Sequence, residues 1–121
     1  MPSFIVKPTR DRDFYVRWST VVDDVTACGS RAELLEYLTK FKPYGEADPA
    51  RFDRADETGT SAVPDIGWYG WDDDTFVLMQ YDEPRAVKRA DLEAYAVAVC
   101  SDNQDEAVKH TYVLPDDGVT P

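Results

Sequence analysis

Histidine occurs once in 121 residues, cysteine twice, and no apolar run exceeds the seven residues Ala94–Cys100. Each scarcity excludes something. A membrane-spanning helix takes about 20 consecutive apolar residues, so none is expected. A disulfide framework takes more than two cysteines, so Cys28 and Cys100 are expected to be small buried hydrophobes. No apolar stretch follows Lys7, Arg10 and Arg12, so no secretory signal is expected and a cytoplasmic setting follows. Nucleophilic catalysis would have to use His110, yet no Gly-x-Ser-x-Gly elbow or cysteine signature accompanies it. An exposed His110 without a catalytic role is the expectation. Zinc spacing of cysteine and histidine is absent. A calcium loop opening at Asp72 would put Val77 where a glycine is required, although Glu83 falls at the twelfth position. The only close glycine pair, Gly67 and Gly70, brackets Trp68 and Tyr69, which are too bulky for backbone to approach a phosphate. The expectation is no enzyme, no cofactor and no metal site.

What the chain does have is negative charge. Thirteen basic residues face 24 acidic ones, for a net charge of −11. Direct binding to nucleic acid or to an anionic membrane is therefore not expected, because both are polyanions. The excess is concentrated. Residues 48–83 hold ten carboxylates against Arg51 and Arg54, eight of the eleven net charges. Aspartate outnumbers glutamate by 17 to 7, and the short side chain favours turns and caps, so the acidity should lie on loops and strand ends.

The pattern of apolar residues predicts one α+β domain over residues 1–114, an antiparallel sheet packed with two or three helices. A flexible acidic tail, 115–121, is expected to follow. Phe4-Ile5-Val6 reads as a first strand stopped by Pro8. Phe14, Val16 and Trp18 alternate with Tyr15, Arg17 and Ser19, which predicts a strand with one buried face. A second extended stretch, Val21 to Ala27, would complete a hairpin, with Asp23-Asp24 as turn or bulge. The firmest helix runs from Ser30 to Phe41. Ser30 and Glu33 form a capping box, Leu34, Leu38 and Phe41 an apolar stripe, and Lys40, Lys42 and Pro43 close the far end. Asp48-Pro49, cap then first-turn proline, starts a second helix reaching about Ala55. Gly59 to Pro64 reads as loop. Ile66–Trp71 and Thr75–Tyr81 read as two strands joined by the acidic turn Asp72-Asp73-Asp74. Ala90–Ser101 fits both periods; its alanines, with Asp91 and Glu93 near the start, favour helix. Val108–Leu114 would form a last strand.

The charge excess and the densest aromatic cluster coincide between Asp65 and Asp82. Aromatics among carboxylates fit a protein partner with a basic face, whereas aromatics among basic residues would fit nucleic acid. The expected face comprises Asp53, Asp56, Glu57, Asp65, Trp68, Tyr69, Trp71, Asp72, Asp73 and Asp74. The bland alternative is that the rings fill the core and the aspartates merely solvate a turn. A rival from another class is a small hydrolase, aspartate-based or dependent on a divalent cation, which requires two carboxylates with raised pKa in one cleft. A third is acidity serving only solubility.

Asp13 to Leu38, with the Gly59-Thr-Ser-Ala62 loop, resembles segments of small uncharacterised proteins of actinobacteria and their phages. That resemblance implies a strand–strand–helix opening and a bacterial or viral setting, with no activity attached. In such a setting, acidic proteins of this size include ones that block host DNA-binding machinery by showing carboxylates where phosphates would lie. This gives the sharp form of the expectation: a nucleic-acid-mimicking inhibitor of a DNA- or RNA-binding complex.

Overall fold

Two three-stranded antiparallel sheets and four helices carry the chain, in a computed structural model that describes residues 3–41, 47–62, 69–78 and 81–114. The first sheet is a meander of β1 (Ser3–Val6), β2 (Tyr15–Ser19) and β3 (Asp24–Gly29), followed by helices α1 (Arg31–Phe41) and α2 (Pro49–Thr58). The second is β4 (Thr75–Leu78), β5 (Arg85–Lys88) and β6 (Tyr112–Val113), with α3 (Arg89–Cys100) and α4 (Gln104–Lys109) inserted between β5 and β6. These elements form one α+β domain. No helix among the described residues is long and apolar enough to cross a membrane.

The first sheet is the middle layer. Ile5, Tyr15 and Ala27 face one apolar cluster with Leu34, Leu38, Phe52 and Ala55 of α1 and α2. Val6, Val16, Trp18 and Val25 face another, with Phe76, Leu78 and Val87 of the second sheet and Leu92, Tyr95 and Ala96 of α3. All five residues of β2 are therefore buried, and the expectation of a single buried face fails. The alternation of Tyr15, Arg17 and Ser19 with Val16 and Trp18 separates two interiors, one of them partly polar. Arg17 lies there because its guanidinium donates to Thr26 Oγ1 at 2.6 Å. Thr26 is the extra residue of a bulge: Arg17 pairs with Ala27 and Trp18 with Val25. The bulge sends Val25 and Ala27, which an even pleat would put on one side, into opposite cores.

Around this frame the local chemistry follows the sequence. Glu33 Oε1 accepts from the Ser30 amide at 2.9 Å, and Ser30 Oγ accepts from the Glu33 amide at 3.2 Å, completing the capping box of α1. Leu34 and Leu38 are buried, but Phe41, at the end of the helix, is 62% exposed, with its ring against that of Tyr37. Asp48 Oδ1 caps α2 at the Ala50 amide, and the helix runs past Ala55 to Thr58, where Gly59 turns left-handed at φ +91°. Residues 59–61 then lie along the free edge of β1: Lys7 N donates to Gly59 O, Ser61 N to Ile5 O, and Ile5 N to Ser61 Oγ.

Other expectations are corrected. The β2–β3 turn occupies residues 20–23, with Asp23 at φ 51°, so Val21 and Val22 lie outside β3 and are exposed. The partner of β4 is β5, in register Phe76↔Val87, and not a strand ending at Trp71. Tyr69, at φ 68°, and the residues after it form a turn, because Arg89 gathers their carbonyls as described below. The stretch expected as helix from Ala90 to Ser101 is α3, which starts at Arg89 and ends at Cys100 with Ser101 as its C-cap. Residues 104–109 form α4, capped by Asn103 Oδ1 on the Glu106 amide, so the last strand shrinks to Tyr112–Val113. Lys42 and Pro43, the end of the 59–64 loop, most of the expected strand before Tyr69 and the 115–121 tail lie outside the described residues.

Candidate interaction face and the arginine behind it

The ten residues expected to form one face separate into groups. Asp65 and Trp68 lie outside the described residues. Asp53 and Asp56 project from α2 into a cluster of opposite charge. Asp56 Oδ1 receives the Lys7 ammonium at 2.7 Å and the Tyr15 hydroxyl at 2.5 Å, and Oδ2 receives Arg31 at 2.8 Å. Arg31 also reaches Asp53 Oδ1 at 3.0 Å. Burial alone would raise the Asp56 pKa, but hydrogen bonds from Lys7 and Tyr15 and the charge of Arg31 outweigh it and hold the carboxyl below its ordinary range. Burial would likewise lower Lys7, and its bond to Asp56 turns the net shift upward. The Tyr15 hydroxyl is raised, by burial and then by the same carboxylate. Here two aspartates have their partners within the fold.

Glu57, Asp72, Asp73 and Asp74 differ. All four are exposed, and among the described residues none enters an ion pair. With Trp71 and Arg10, three of them line an open cleft of about 480 Å³ between the end of α2 and the turn before β4. Trp71 is half-buried. Its Nε1 donates to the Glu57 carbonyl at 3.1 Å, and the Arg10 guanidinium lies 4.4 Å from its ring centre. Tyr69 points the other way, its ring stacked on Phe76 at 5.3 Å and tilted against Trp18 and Phe4. Tyr69 thus serves the core, and Trp71 is the ring that borders the carboxylates.

Arg89 fixes this arrangement. It is 7% exposed, at the first turn of α3, and its guanidinium donates to the backbone carbonyls of Gly70, Asp73 (2.7 Å), Tyr69 (2.8 Å), Gly59 (3.0 Å) and Lys7 (3.1 Å). Its own amide donates to Asp74 O at 2.8 Å. The cation lies 5.0 Å from the Trp71 ring and 5.4 Å from Phe76. Burial pushes its pKa down to about 10, against the attraction of Asp73 and Asp74, so it stays charged at neutral pH. One buried cation binds the turn through its backbone, Asp73 Oδ2 closes the turn by accepting from the Tyr69 amide at 2.7 Å, and Asp72 and Asp74 are left exposed beside it. Gly59 permits the approach: a Cβ there would lie 2.8 Å from Trp71 Cδ2 and 2.9 Å from both the Trp71 amide nitrogen and Arg89. The sequence did carry one signal for Arg89, a cation in the first turn of a helix, where the macrodipole favours anions.

A second polar site gathers around Tyr95 of α3. The Tyr95 hydroxyl donates to Asp24 Oδ1 at 2.6 Å, Tyr81 and Tyr95 hydroxyls are 3.4 Å apart, and Gln104 donates to Tyr81 at 2.7 Å. Asp24 and Asp82 line one cleft there. Burial raises the Asp24 pKa in spite of the bonds from Tyr95 and the Val25 amide. His110, expected to be exposed, is half-buried where α4 folds back, its Nε2 3.0 Å from Glu106 Oε2. Among the described residues no group of three or more His, Cys, Asp or Glu side chains gathers as a metal would require. Against protein-family models, curated proteins and solved structures, this chain finds no match.

Proposed function

We propose that this chain is a non-enzymatic interaction module, acting in the cytoplasm, that docks on a basic protein surface through Trp71, Glu57, Asp72, Asp73 and Asp74. In its sharpest form it is a nucleic-acid mimic that occupies the binding site of a DNA- or RNA-binding protein. The observation that carries the reading is the division between the acidic groups. Asp53 and Asp56 are matched by Arg31 and Lys7, while the Asp72–Asp74 turn is held by Arg89 through backbone carbonyls, which keeps its carboxylates exposed beside a half-buried tryptophan. An aromatic ring bordered by more carboxylates than cations, four against the Arg10 that stacks on it, fits a basic surface, with fast association at low salt and steep loss as salt rises.

The test is affinity capture with two baits, the wild-type chain and the Asp72→Asn, Asp73→Asn, Asp74→Asn triple variant, at low and at high salt. The expected partner binds the wild type at low salt, is lost at high salt and on the triple variant, and is displaced by double-stranded DNA if the mimic form holds. A partner held equally by both baits, or indifferent to salt, overturns the reading. The aspartate-hydrolase alternative draws its support from the cleft shared by Asp24 and Asp82. It requires hydrolytic turnover that Asp24→Asn abolishes without unfolding the chain.

A further inference from the structure

The two cysteines are distant in sequence and adjacent in space. Cys28 lies near the end of β3, opposite Val16 of β2, and Cys100 is the last residue of α3. Helix α3 packs along β3, and the Cys28 thiol donates to the carbonyl oxygen of Ala96 at 3.5 Å. That oxygen points along the helix toward the residue four positions on, which is Cys100, so a thiol touching it borders the Cys100 side chain. Each thiol lies close enough to the other to shift its ionisation, and neither is in a disulfide. Cys28 is half-buried and Cys100 exposed, which corrects the expectation that both would be sequestered.

The pair is asymmetric. The interaction with Cys100, and then burial, raises the Cys28 thiol, while the same interaction lowers Cys100 against the opposing effects of burial and the Asp24 charge. Geometry points the same way: Cys28 places its proton on the Ala96 carbonyl, and Cys100 is the exposed sulfur that an oxidant reaches first. A low-pKa, accessible cysteine beside a resolving cysteine is the arrangement that peroxide-sensitive sites share.

We propose that Cys28 and Cys100 form an oxidant-sensitive dithiol, which hydrogen peroxide converts into an intramolecular disulfide joining β3 to the C-terminal end of α3. In the first step the Cys100 thiolate attacks one peroxide oxygen, the O–O bond breaks, and hydroxide leaves, giving Cys100 sulfenic acid. In the second, Cys28 sulfur attacks the Cys100 sulfur, the S–O bond breaks, and water leaves with the Cys28 proton. Two electrons pass from the thiol pair to peroxide, and a dithiol reductant returns them by exchange. The bond closes the long stretch of chain from Cys28 to Cys100, which contains α1, α2 and the second sheet's hairpin, so it restricts the unfolded ensemble. This proposal is independent of the partner that the acidic face engages.

The test uses the reduced wild-type chain, treated with a small excess of hydrogen peroxide, alkylated and mapped by mass spectrometry under non-reducing conditions. The expected product is a monomer lighter by two hydrogens, with the Cys28 and Cys100 peptides linked. It should melt on the order of 10 °C above the reduced form and revert with dithiothreitol. In Cys28→Ser the resolving thiol is gone, so Cys100 sulfenic acid should accumulate and be trapped by dimedone; in Cys100→Ser, Cys28 should remain alkylatable. The proposal fails if both wild-type thiols stay alkylatable after peroxide. It fails equally if Cys100 passes to sulfinic acid beside a free Cys28, or if the only disulfide joins two chains.

Discussion

Two groups of carboxylates, one on α2 and one in the turn before β4, are treated in opposite ways by the fold. At Asp56 the charges meet side chain to side chain: an ammonium, a phenol and a guanidinium converge on one carboxylate. At Asp72–Asp74 the cation meets backbone: Arg89 donates to carbonyl oxygens, Asp73 accepts from the Tyr69 amide, and the carboxylates stay exposed without a cation of their own among the described residues. The same residue type is a structural clamp in one place and surface charge in the other. What differs is where the nearest cation is anchored. Lys7 and Arg31 reach α2 from just past β1 and from the start of α1, beside the side chains of α2. Arg89 rises from beneath the turn, with the Trp71 and Phe76 rings about its guanidinium.

The strongest way to break this contrast is Arg89→Met. It leaves several buried carbonyls without a donor, and a loss of about 3–5 kcal/mol in urea unfolding is expected. The Asp56 cluster has its own cations, so a turn that keeps its near-ultraviolet dichroism in Arg89→Met would show that Arg89 is not its organiser. Gly59→Ala attacks the same region through the backbone. The left-handed φ and the 2.8 Å approach to Trp71 lead to a loss of about 2 kcal/mol, again read by denaturant unfolding.

Tyr15→Phe sharpens the other side. It removes one donor to Asp56, and about 1 kcal/mol should be lost. Its pH dependence is the more telling readout. Because Asp56 is held below its unfolded pKa, its contribution is present above the ordinary carboxylate range and lost as pH falls through its folded value. With Tyr15→Phe the folded value rises, so the acid loss should begin at higher pH. Asp24 has the opposite sign: its raised pKa gives stability that is present below the unfolded carboxylate pKa and lost as pH climbs through the folded one. The smallest effect is expected at Asp53→Asn. Its side chain is 70% exposed and Arg31 keeps Asp56, so unfolding should change by less than about 0.5 kcal/mol and partner binding not at all.

Local signals read true where one short segment decides the structure. The Ser30–Glu33 box, the Asp48-Pro49 start and the alanine-rich stretch before Cys100 each specify a helix within a few residues, and each is present. Signals failed where a second segment decides. The alternation in β2 reads as one wet face because nothing in Tyr15 to Ser19 announces that α1 and α2 will cover it. The aromatics before Asp72 read as a strand because Arg89, far along the chain, is what bends Tyr69 to Trp71 into a turn. The candidate face suffered in the same way: Asp53 and Asp56 carry the same composition as Asp72–Asp74, and only contact with Lys7 and Arg31 tells them apart.

The sequence by itself determined the α+β class, the two helix starts and the crowding of negative charge into the middle of the chain. Those properties follow from near neighbours, through hydrogen bonds and periodicities that span a few residues. Tertiary structure alone decided which carboxylates are neutralised, which tryptophan borders those that are not, and that Cys28 and Cys100 meet. Each of these is a contact between segments far apart in the chain, set by how the layers stack, and no local pattern encodes it.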